Sequence, residues 1–187
     1  MLSTEMAQVN RESFRDSLRG GDRNRFPIVL GTGLDSGQDF LHALGRRGYH
    51  LSERIVGYLM GGAFKVKVKK MATITLVIVT PRELGYTKPF DFGEGEVYDR
   101  ARQLGVGLGL CPPETAFQIL IQAYGRVTRF PEEGFELSAK LLWPNDESRL
   151  SGALLIWRKK DQMGVRVVNA HSARLVFPDN RFTFVLK

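Results

Sequence analysis

The chain has 187 residues, 43% of them apolar, enough for one domain with its own core and without disulfide staples. Its single cysteine excludes an intramolecular disulfide framework and any multi-cysteine zinc site. With 27 Lys and Arg against 20 Asp and Glu, the net charge of +7 permits an anionic partner, nucleic acid or an acidic protein, without establishing one.

Residues 1–25 read as an N-terminal appendage and residues 26–187 as one domain. Leu2, Met6, Val9, Phe14 and Leu18 lie loosely at helical spacing before Gly20 and Gly21 break the pattern. The arginines of this stretch are interleaved with acids, as on an exposed helical arm or one that orders on a partner. It has no apolar segment of signal-peptide length, and the longest apolar run, Met71 to Val79, is too short to cross a bilayer. The expectation is a soluble cytoplasmic protein.

Phe26 to Leu30 reads as a short strand and GTGL at 31–34 as a turn. Asp35 or Ser36 then caps a helix with Phe40, Leu41 and Leu44 on its apolar side. Ile55, Val56 and Leu59 mark a second helix, stopped by Gly61 and Gly62. From Phe64 to Lys70 the pattern has period two. Phe64, Val66 and Val68 alternate with Lys65, Lys67 and Lys69, which predicts a strand with a lysine ladder on one face. Thr73 to Val79 is apolar or threonine on both faces, as in a strand covered on two sides. Thr80-Pro81-Arg82-Glu83 reads as a capping box opening a helix that Gly85 cuts short. Val97, Ala101 and Leu104 mark another helix.

Leu104 to Tyr124 joins a strand-like run, the only cysteine, a proline pair and a helix. Pro112 and Pro113 suit a first helical turn. Phe117, Leu120, Ile121 and Tyr124 follow i, i+3, i+4, i+7 spacing, and Gln118 and Gln122 take another face. Strands follow at Phe135 to Trp143, Ala153 to Trp157, Val165 to Val168, Arg174 to Phe177 and Arg181 to Leu186, with turns at 144–146, 159–162 and 178–180. The fold class is α+β: short helices packed on a mainly antiparallel sheet formed by 64–79 and a C-terminal meander.

Several pieces recur in a fixed order: FPIVLGTGL at 26–34, GGAF at 61–64, ELGY at 83–86, VYDRARQLG at 97–105, GLCPPE at 109–114 and the terminal RFTFV at 181–185. In that order they resemble a family of uncharacterised small bacterial proteins, found mainly in uncultured and candidate-phylum genomes. The resemblance runs from about residue 26 to the end and leaves out the arginine-rich start. Gly125 to Glu133 departs from the shorter acidic turn of that family. The resemblance implies no activity, catalytic residue, cofactor or ligand.

Five features of the chain bear on chemistry. Cys111, next to a helix N-terminus, is the candidate nucleophile of a cysteine-dependent hydrolase or transferase. His171, or else His42 or His50, would be its base, and Asn169 or Asp179 an orienting group. The competing reading is a buried, packed thiol. The histidines lack metal-ligand spacing, so no metal or cofactor is expected. Gly31-Thr32-Gly33 and GVGLG at 105–109 lack a complete phosphate-loop pattern and read as tight turns. The acidic pairs Glu94/Glu96 and Glu132/Glu133 read as surface charge. Lys65, Lys67, Lys69 and Lys70, with Arg158, Lys159 and Lys160, could form a basic face for nucleic acid or an acidic protein; the competing reading is protection of an exposed strand edge. The leading expectation is a non-catalytic binding or accessory domain. An antitoxin-like or host-interaction protein is a further alternative.

Overall fold

Successive side chains of a strand point to opposite faces, and Ala72–Val79 (β2) uses both. Ile74, Leu76 and Ile78 enter one core, and Val77 and Val79 enter a second on the other side. The two-sided apolar pattern of Thr73 to Val79 therefore does mark a strand covered on both faces. The structure, a computed structural model, describes residues 8–20, 25–62, 64–91, 96–123, 134–137, 152–159, 162–169 and 175–187.

The other strands of the main sheet are β1 (Arg25–Leu30), β4 (Leu108–Gly109), β5 (Phe135–Leu137), β6 (Gly152–Lys159), β7 (Gln162–Asn169) and β9 (Phe182–Leu186). The sheet runs β1-β2-β9-β5-β6-β7, and β4 also pairs with β9. Every pairing is antiparallel except β5 with β9. A separate two-stranded ribbon joins β3 (Phe90–Asp91) to β8 (Leu175–Val176). The fold is α+β, with a more complex C-terminal half than the strand order predicts. β5, β6 and β7 are sheet neighbours in chain order, but β8 leaves the sheet and β9 inserts between β2 and β5. Composition supplies the reason. Phe182, Thr183 and Phe184 are all buried, so β9 needs cover on both faces, which the centre of a sheet provides. Of the strand expected from Phe135 to Trp143, the part beyond Leu137 lies outside the described residues, as does the turn at 144–146.

The helices divide between the two faces. Gly37–Gly45 (α2), Glu53–Met60 (α3) and Thr115–Ala123 (α5) cover the first core. Arg11–Gly20 (α1) and Glu96–Gln103 (α4) cover the second, together with the β3–β8 ribbon. Helix α1 contributes Phe14 and Leu18 to that core. Helix α2 starts at a capping box: Asp39 N–H donates to Ser36 Oγ at 3.2 Å, and Ser36 N–H donates to Asp39 Oδ2 at 2.9 Å. The Ser36 hydroxyl also donates to Asp39 Oδ2 at 2.7 Å, and this bond foremost, with that from Ser36 N–H, holds the Asp39 carboxyl below its ordinary range. The box at Thr80 and Glu83 also forms, through Thr80 N–H to Glu83 Oε2 at 2.6 Å and Glu83 N–H to Thr80 Oγ1 at 3.3 Å. It opens a turn and not a helix, because Gly85 adopts φ +101° two residues later.

Helix α5 is the hub of the first core. It touches both β1 and β7, the two edges of the sheet, so the sheet curls around it. Thr115, Ala116, Phe117, Gln118, Ile119 and Leu120 are all buried. Residues 115–120 are thus enclosed on every face of the helix, Gln118 among them, while Ile121 and Gln122 are half-buried. Gln122 lies against the outer edge of β1: Val29 N–H donates to its Oε1 at 3.0 Å, and its Nε2 donates to Val29 O at 2.6 Å. Gln118 Nε2 donates to Thr32 Oγ1 at 2.6 Å. The Gln122 amide pairs with β1 where no strand follows, and so it satisfies a sheet edge that would otherwise be open at Val29.

Candidate functional site

The lysine-bearing segment from Phe64 to Lys70 lies outside the sheet, although its period-two pattern predicts a strand. The alternation survives in burial. Phe64 and Val66 are buried and Val68 half-buried, while Lys65, Lys67, Lys69 and Lys70 are exposed. What is missing is a neighbouring backbone. The N–H groups of Lys67 and Val68 donate instead to one carboxylate oxygen, Glu114 Oε1, at 3.0 and 2.8 Å. Two adjacent donors converging on one acceptor leave this stretch as a strap laid over the first core.

Three attachments fix the strap. Phe64 sits among aromatic rings, with centroids 5.7 Å from Phe40, 5.5 Å from Tyr58 and 5.7 Å from Phe117, all edge-on. Burying such a ring contributes about 1.5–3 kcal/mol, and each edge-on pair adds about 0.5–1.5 kcal/mol. Glu114 holds the middle from the residue just ahead of α5. At the far end, Gly31 lets the Lys70 carbonyl approach closely; Gly31 has φ +67°, and a Cβ there would overlap that carbonyl.

Glu114 is itself only 1% exposed, and its Oε2 has no hydrogen-bond partner among the described residues. Burial raises the Tyr58 hydroxyl pKa well above its ordinary value, and the nearby Glu114 charge adds to the rise. A carboxylate buried this deeply stays in place by accepting backbone N–H groups. Sequence reasoning missed it. The available signal was an acid following Pro112-Pro113 at the start of a helix, a pattern that more often marks a solvated first turn.

Lys69 Nζ lies 3.4 Å from Asp35 Oδ1, with the two side chains 60% and 65% exposed, a weak surface pair. Lys159 is exposed at the end of β6. In sheet order β9 and β5 stand between β6 and β2, so Lys159 is on no strand paired with the strap's continuation. The side chain of Arg158 and the whole of Lys160 lie outside the described residues.

Cys111 is 4% exposed, and its Sγ donates to Thr183 O at 3.4 Å. Burial pushes its pKa far up, so the thiol stays protonated near neutral pH. His42 and His50 are exposed, and His171 lies outside the described residues. Asp179 forms a two-pronged ion pair with Arg82, at 2.9 and 3.0 Å, which lowers its carboxyl pKa. The glycines at 31, 33, 105 and 107 have positive φ and form tight turns. A polar cleft of about 100 Å³ lies between the starts of β5 and β9 and includes Glu136, Asp179 and Arg181; it is too small for a drug-sized ligand. Among the described residues no group of three or more His, Cys, Asp or Glu is placed to hold a metal ion, and no helix is long and apolar enough to cross a membrane. Compared with family models, curated proteins and solved structures, the chain matches none.

Proposed function

We propose that the protein is a non-catalytic binding domain whose lysine strap holds an anionic partner, with nucleic acid ahead of acidic protein. One observation carries the reading. Lys65, Lys67, Lys69 and Lys70 stand in solvent on a segment that is fixed from within by Phe64, Val66, Glu114 and the close approach at Gly31. Lysines on a fixed support lose less backbone freedom on binding than lysines on a loose loop. The net charge of +7 adds long-range attraction for an anion. The buried, protonated thiol of Cys111 gives the hydrolase reading no nucleophile in this conformation.

The test is titration of labelled DNA and RNA oligonucleotides at about 50 and 200 mM salt. Binding at the lower salt with a steep loss at the higher is expected, with polyglutamate competing poorly. No association with either nucleic acid at low salt would overturn the nucleic-acid assignment.

A further inference from the structure

We infer that the strap is a phosphate rail for one strand of nucleic acid, with Lys65, Lys67 and Lys69 each taking one phosphate and Glu114 acting as the positioning residue beneath them. The inference rests on the binding reading above and makes it specific. The three lysines recur at every second residue and are exposed, while Phe64 and Val66 between and before them are buried. The lysine heads therefore emerge as a row on the outer side of the strap. A single nucleic-acid strand also presents its phosphates in a row, and a lysine head has reach enough to fit their interval.

The strap offers charge and nothing for bases. Its own aromatic, Phe64, and the rings against it, Phe40, Tyr58 and Phe117, are all buried. No base can stack on them, so recognition runs through the backbone and is indifferent to sequence. Lys70 follows Lys69 directly and breaks the alternation, so it stands off the row; its carbonyl is the atom that meets Gly31. Asp35 competes with a phosphate for Lys69, through a pair weak enough to give way.

Glu114 touches no ligand. It fixes which strap residues face out by binding the N–H groups of Lys67 and Val68 on the inner side. Its role can be separated from its charge. Removing a negative charge favours an anionic ligand, whereas loosening the strap disfavours one. Glu114→Ala therefore weakens binding if Glu114 positions the rail. Glu114→Gln keeps a carbonyl oxygen for the two N–H groups and preserves binding.

The experiment measures anisotropy of a labelled single-stranded oligothymidylate with the full chain across a salt series. Each of Lys65→Gln, Lys67→Gln and Lys69→Gln is expected to reduce the log–log salt slope by about 0.7, and Lys70→Gln to leave it unchanged. Asp35→Asn is expected to tighten binding a few-fold. If the wild type binds but the triple Lys→Gln variant keeps its slope, the rail is overturned while a basic surface elsewhere survives. An equal contribution from Lys70 also overturns it. No binding by the wild type overturns both the rail and the broader reading. These lysines are exposed, so their replacement leaves the fold intact and the result readable even if Glu114→Ala fails to fold.

Discussion

Cys111 lies four residues ahead of the first residue of α5, where the helix dipole would favour a thiolate. Burial opposes it and wins. The dipole is worth about 0.3–1 kcal/mol near a helix terminus, whereas full burial can move a pKa by about 3–5 units, at 1.36 kcal/mol each. Iodoacetamide near neutral pH is therefore expected to leave the native protein unmodified and to add one equivalent after denaturation, read by mass spectrometry. Rapid alkylation of the native state would contradict this. The sequence shows the thiol beside a helix start but not its burial, because its hydrogen-bond partner, Thr183, is 72 residues away. Local signals carry caps well, as at Ser36–Asp39 and Thr80–Glu83, since all their determinants lie within a few residues.

Among elements, α5 and the strap show how a correct pattern can lead to a wrong surroundings. The apolar positions of α5 were legible as Phe117, Leu120 and Ile121. The glutamines Gln118 and Gln122 show as a separate face, but nothing local says what that face meets. In the fold, Gln122 acts as a missing strand for Val29, 93 residues earlier. Replacing Gln122 with Ala leaves that main-chain N–H and C=O without partners in a half-buried place. The expected cost is about 1–3 kcal/mol in chemical denaturation, accompanied by a greater tendency to associate through the opened edge of β1. An unchanged midpoint would show that water replaces the amide freely. The strap's alternation was equally legible, and it correctly sorted inner from outer side chains. Membership of the sheet was not, because a strand is defined by a neighbour that its own sequence does not contain.

For the whole molecule, the fold class and the double-sided nature of β2 were readable from composition and period. The strand order was not. Nothing within residues 181–186 announces that they pair with β2, β4 and β5 at the centre of the sheet. Deleting Phe182 to Lys187 removes the strand that joins the β1–β2 pair to the β5–β6–β7 group. Loss of the cooperative unfolding transition and of near-ultraviolet circular dichroism is expected. A cooperative transition that survived the deletion would show that the two halves hold together through α5 alone. The same arrangement fixes a timetable during synthesis. β2 ends at Val79 and β9 begins at Phe182. At about 5–20 residues per second, a ribosome takes roughly 5–20 s to cover that interval. Throughout it, β2 waits with one side unpaired and both faces apolar, the state in which nascent chains stick to one another and in which chaperones bind them.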